Sequence, residues 1–104
     1  MIDVNKAIFA AIKTGKVTLG SKQTLEAVRT GKAKLIVIAS NCPSDIRKNI
    51  EHYAKLSRIP MYVHNSSSID LGIACRKPFT VTAMAIRDAG DSEILRLAEA
   101  LHGE

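Results

Sequence analysis

The chain has 104 residues, 46% hydrophobic and 24% charged, with no Trp and only 4% aromatic residues. That is one ordinary globular domain's worth of chain. It excludes a disordered polymer, a run of the roughly 18 apolar residues that would cross a bilayer, and an aromatic platform for stacking successive bases. Asp3, Lys6, Lys13 and Lys16 interrupt the apolar positions of the first 20 residues, which therefore do not read as a signal peptide. A soluble, cytoplasmic protein is expected, with no membrane partner. The formal charge is +5, and it is unevenly spread. Residues 1–60 hold eleven basic and four acidic side chains, residues 61–104 four basic and six acidic. A basic face built from the first half would suit a polyanion.

Asp3 can cap a first helix, in which Val4, Ala7, Ile8, Ala11 and Ile12 form one apolar stripe that Gly15 stops. Lys16 to Leu19 reads as a short strand. Gly20 and Ser21 turn into a second helix, with Leu25 and Val28 inward and Gly31 at its end. Leu35 to Ala39 is continuously apolar, as in a strand covered on both faces. Pro43 suits the first turn of a third helix, with Ile46, Ile50, Tyr53 and Ala54 on one face, ending before Pro60. Met61 to Val63 is a third strand. The serines of the following loop can cap a short helix over Ile69 to Cys75. Val81 to Ile86 is the fourth strand, and Ser92 caps a last helix with Ile94, Leu97, Ala98 and Leu101 inward. Helices alternating with strands predict a three-layer α/β/α sandwich. No linker, repeat or low-complexity tract divides it, so residues 1–104 are expected to form a single domain.

Few residues carry an enzymatic signal. Gly15 to Lys22 resembles a phosphate-binding loop, but Ser precedes Lys and a helix stands where the pattern needs a strand. Cys42, near a helix start, is a candidate for a lowered thiol pKa with His52 or His64 as base, against the simpler reading of a packed thiol. Ser66, His64 and Asp70 are triad residue types without a nucleophile elbow. Cys42 and Cys75 make no disulfide framework, and neither they nor His52, His64 and His102 have metal-ligand spacing. No cofactor or metal is expected.

Three loops invite a polyanion. Gly20-Ser21-Lys22 opens a helix beside a lysine, where free backbone N–H groups make an anion site; Ser21 could equally be an ordinary N-cap. Asn41 sits at the next strand-to-helix junction. Its amide could read a base edge, or cap the third helix through an Asx-turn. Arg76-Lys77-Pro78-Phe79 sets two cations beside an aromatic, either an RNA contact or a solvated turn with Phe79 in the core.

The stretches Thr14-Gly-Lys-Val-Thr-Leu-Gly-Ser-Lys-Gln-Thr-Leu25 and Gly31-Lys-Ala-Lys-Leu-Ile-Val-Ile-Ala-Ser-Asn-Cys-Pro43, with Leu71-Gly-Ile-Ala-Cys75 and Ala89-Gly-Asp-Ser-Glu-Ile-Leu95, place these loops in a known order. The chain resembles the superfamily of small kink-turn RNA-binding proteins, over about residues 14–96. Within that superfamily it is similar to members from the archaeal and eukaryotic large ribosomal subunit. Box C/D guide-RNA relatives carry an Asn- and Thr-rich segment in place of Gly20-Ser-Lys-Gln-Thr. The resemblance implies a mixed four-stranded sheet of order 1-4-2-3 with strand 4 antiparallel. It implies binding to a kink-turn of ribosomal RNA, a sharply bent internal loop with tandem sheared G·A pairs. Gly20, Ser21 and Lys22 then match the first contact loop, and Asn41 the base-reading asparagine. Phe79 and Val81 match the side chains that pack on extruded bases, with Arg76 and Lys77 as cations beside them. The chain lacks the basic N-terminal extension of eukaryotic members, which implies an archaeal source. It departs from the pattern at Arg76, where glycine is usual. Arg tolerates a left-handed backbone poorly, so the short helix should end differently there, or the position adds a basic contact.

The function this implies is a non-catalytic RNA-binding constituent of the large ribosomal subunit, monomeric when free and neighboured by other large-subunit proteins. The alternatives are a free-standing kink-turn module of a guide or regulatory RNA complex, and a small thiol enzyme using Cys42.

Overall fold

The computed structural model describes residues 3–96. Helix α1 spans Val4–Thr14; the Lys6 amide donates to Asp3 Oδ1 at 3.2 Å, so Asp3 is its cap. Gly15 ends it for want of space: its backbone is extended, but a Cβ there would lie 2.0 Å from the Asp88 carbonyl oxygen. Strand β1 (Lys16–Leu19) leads to α2 (Ser21–Arg29), β2 (Leu35–Ile38), α3 (Ser44–Ser57), β3 (Met61–Val63), α4 (Ser68–Ala74) and β4 (Ala83–Asp88).

The sheet order is β1-β4-β2-β3. β2 and β3 are parallel, and β4 runs antiparallel to both of its neighbours. Alternation along β2 then builds two cores. Leu35 and Val37 face α1 and α4 with Ile8, Ala11, Leu71, Met84 and Ile86. Ile36 and Ile38 face α2 and α3 with Val28, Ile50, Ala54, Ala83 and Ala85. Every residue of β2 is buried, as its unbroken apolar run requires.

Several boundaries differ by one or two residues from those read in the sequence: β2 ends at Ile38, α4 at Ala74 and β4 at Asp88, and two of the starts also move. β4 starts two residues later than expected, because the Val81 amide donates to the Ser68 carbonyl of α4 and not to a neighbouring strand. α4 begins one residue earlier, with Ser67 Oγ accepting from the Asp70 amide. Ser92 Oγ accepts from the Ile94 amide at 3.1 Å and donates to the Ala7 carbonyl, and Ile94 is buried. Leu97, Ala98 and Leu101, the rest of the expected last helix, lie outside the described residues.

Candidate nucleic-acid interface

Because β4 is antiparallel to β1 and β2, its first residues stand beside the last residues of both. Leu19 pairs with Met84, and Ile38 with Ala83. The Gly20 amide donates to the Ala83 carbonyl and the Ala39 amide to the Thr82 carbonyl, each at 2.9 Å. The three candidate loops, far apart in sequence, thus meet at one edge of the sheet.

At the first loop, Gly20 has φ 104 and ψ 151, a backbone that side chains other than hydrogen rarely adopt. It is the N-cap of α2, and no side chain bonds to the first turn. The alternative of an N-cap by Ser21 is therefore set aside: Ser21 is already helical, one residue too late to cap. The first-turn amides and the positive end of the helix dipole are left for an outside acceptor, with Lys22 exposed beside them and no acid in that turn.

Asn41 does not cap α3. Pro43 holds that cap position, without a side-chain hydrogen bond. Asn41 turns instead towards α4: its Oδ1 accepts from the Ser68 amide at 2.8 Å, and its Nδ2 lies 3.4 Å from Ser68 Oγ. The acceptor is committed within the protein, while the exposed amide NH2 is held loosely and keeps donor capacity.

The third loop begins where α4 ends. The Arg76 amide donates to Ile73 and the Lys77 amide to Gly72, closing a Schellman turn with Arg76 at φ 56. The helix thus ends as glycine would end it, with arginine in the left-handed position. The Arg76 guanidinium does not join Phe79. It lies 4.2 Å from the centre of the Phe9 ring on α1. Lys77 is exposed. Phe79 is 55% exposed, which overturns the alternative that placed it in the core. Val81 is the reverse: at 0% exposure it is enclosed in the core against α1 and α4, so its side chain supports the loop from below and offers no surface to a base.

Sequence reasoning missed two supports of this edge. Ser68 donates its amide to Asn41 Oδ1 and accepts from the Val81 amide at its carbonyl, tying two loops to one residue. Gly72 lets the returning chain pass: a Cβ there would lie 2.2 Å from the Phe79 carbonyl oxygen. A glycine inside a seven-residue helix was the available signal.

The thiols are the opposite of activated. Burial pushes Cys42 above its ordinary value, with Arg47 drawing it back and Asp45 adding to the rise. Burial pushes Cys75 up to about 11, against the pull of Lys77. The lowered pKa considered for Cys42 is therefore corrected, because desolvation outweighs the helix start. His64 is buried, its Nε2 2.8 Å from Asn5 Oδ1 and its Nδ1 accepting from the Ser66 amide at 3.0 Å. No triad forms from Ser66, His64 and Asp70 in this arrangement.

A family described as ribosomal protein L7Ae/L30e/S12e/Gadd45 matches residues 2–96. The large ribosomal subunit protein eL30 of Methanothermobacter thermautotrophicus is 51% identical over 96 residues, covering 92% of this chain and 98% of that protein. The protein of the same name from Methanocaldococcus jannaschii is 49% identical over 102 residues, covering 98% of this chain and 93% of that one. A solved structure, of a protein with unknown function from Bacillus halodurans, covers all of both chains with a TM-score of 0.78 at 20% identity, a likeness of fold. On the family match and these full-length relatives, the chain belongs to the ribosomal protein L7Ae/L30e/S12e/Gadd45 family.

Proposed function

We propose that this chain, as a single RNA-binding unit, recognises a kink-turn in ribosomal RNA and is a non-catalytic structural constituent of the large ribosomal subunit. The observation that carries the reading is the meeting of three loops at one sheet edge, each with a different chemistry. The uncapped start of α2 with Lys22 suits phosphate. The Asn41 amide suits a base edge, and it follows the buried strand β2. The exposed ring of Phe79 suits stacking on an extruded base. Lys77 adds a cation to that loop. A kink-turn offers all three features together, and a regular duplex does not extrude a base. The names of the relatives support the ribosomal setting, with cytoplasmic location, large-subunit proteins as neighbours and a free monomer before assembly.

The test compares a kink-turn RNA carrying tandem sheared G·A pairs with a duplex of the same length. Roughly four phosphate contacts give a slope of log K against log salt of about −3 to −4. Asn41→Ala should cost about 1–3 kcal/mol on the kink-turn and leave duplex binding almost unchanged. Intact discrimination in that variant would refute base reading. Sedimentation of the native protein with the large subunit supports the ribosomal placement; a separate small RNA–protein particle would replace it with the guide or regulatory alternative.

A further inference from the structure

The segment from His64 to Ser68 lies behind the interface and bonds to two of its loops. The His64 amide donates to the Ile38 carbonyl at 2.7 Å, at the end of β2. The Ser66 carbonyl accepts from both the amide and the hydroxyl of Ser40, at 2.9 and 3.0 Å. Ser68 donates its amide to the Asn41 side-chain oxygen and accepts from the Val81 amide at its carbonyl. One short segment therefore sets the height of the Asn41 loop and the lower end of the Phe79 loop.

The anchor of that segment is the His64 ring, which is 4% exposed. A backbone amide can only donate, so the Ser66 N–H makes Nδ1 an acceptor. The ring proton then sits on Nε2 and donates to Asn5 Oδ1 on α1. Both nitrogens are satisfied in the neutral ring alone. Tyr62 of β3 stands edge-on, 6.2 Å between ring centres. Burial opposes a charge on the ring, and Asp70 of α4 favours one.

We propose that His64 is a positioning residue for RNA recognition: by accepting from Ser66 and donating to Asn5, it holds the 64–68 segment so that Asn41 and the Phe79 loop stand in register with each other. The proposal rests on the RNA-binding reading above.

Two substitutions separate this role from simple packing. In His64→Asn, the side-chain oxygen falls near the place of Nδ1 and can still accept from Ser66. In His64→Gln, the amide reaches the place of Nε2 and leaves the Ser66 N–H unpaired. Both lose ring volume, so both lower thermal stability. Affinity for the kink-turn RNA is measured well below each variant's melting temperature, so that only folded protein is compared. His64→Gln should bind roughly fivefold to tenfold more weakly, the effect of one hydrogen bond lost from the register. His64→Asn should stay within about twofold of the parent. His64→Gln and Asn41→Ala should combine to less than the product of their separate losses, because the first already misplaces what the second removes. In the free protein, amide exchange at Ser66 and Ser68 should quicken in His64→Gln and not in His64→Asn. Equal affinity for the parent and His64→Gln, or equal loss in both His64 variants, would overturn the proposal while the RNA reading stands. A parent protein with no preference for the kink-turn would overturn both.

Discussion

Arg76 joins two effects of opposite sign, and substituting it separates them. Its φ of 56 places an L side chain in the left-handed region, at a cost of about 1–2 kcal/mol. Its guanidinium, 4.2 Å from the centre of the Phe9 ring, returns about 0.5–1 kcal/mol at an exposed site. Arg76→Gly removes both and adds freedom to the unfolded chain, worth roughly 0.4–1 kcal/mol against folding. The three terms leave Arg76→Gly within about 1 kcal/mol of the parent. Arg76→Ala keeps the strained backbone and loses the stack, so it should be destabilised by about 0.5–1 kcal/mol. Urea unfolding followed by circular dichroism resolves the two, provided the slope with denaturant is unchanged. A cycle with Phe9→Leu isolates the stack, with a coupling of about 0.5–1 kcal/mol expected. An alanine variant more stable than the glycine variant would refute the strain, and zero coupling would refute the stack. Because the guanidinium is engaged over α1, Arg76→Gly should leave the salt slope of RNA binding unchanged. A slope shallower by about one unit would instead place Arg76 on a phosphate.

Lys22→Ala should make the salt slope shallower by about 0.7–0.9, the signature of one phosphate contact, whereas Asn41→Ala should not alter it; titrations at several salt concentrations distinguish the two. Gly72→Ala drives a Cβ to 2.2 Å from the Phe79 carbonyl, so it should lower stability by about 1–3 kcal/mol and weaken kink-turn binding together. A variant with parental melting temperature and affinity would show that the Phe79 loop does not depend on that close passage. Burial holds the His64 pKa below 6.5, with Asp70 opposing. The unfolded chain then binds the proton more readily than the native one, so stability is unaffected above pH 6.5 and falls as pH drops below it. Unfolding measured from pH 7.5 to 5 should show that loss, and His64→Asn should flatten the part due to this group.

Much of this fold is local and was legible in the chain itself. The stripe from Val4 to Ile12 has only one face to bury, and it lies on the sheet through Ala7, Ile8 and Ala11. The unbroken run at Leu35–Ile38 required cover on both sides, and both cores share it. Lys22 and Asn41 were legible as candidates because strand-to-helix junctions expose amides and polar side chains. Their convergence was not legible in the periodicity: it depends on β4 entering antiparallel between β1 and β2, a pairing of distant segments that only the family resemblance implied and that the structure shows. The same long-range pairing decided the partners. Asn41 bonds to Ser68, 27 positions away, and not to the helix it precedes. Arg76 stacks on Phe9 of α1 and not on its near neighbour Phe79. Val81 and Phe79 are two positions apart, yet one is enclosed and the other 55% exposed, as the chain passes close against Gly72 and then bonds to Ser68 of α4. Periodicity reports which face an element buries; it holds no information about which distant surface meets that face, and side chains at loop ends take their roles from that meeting.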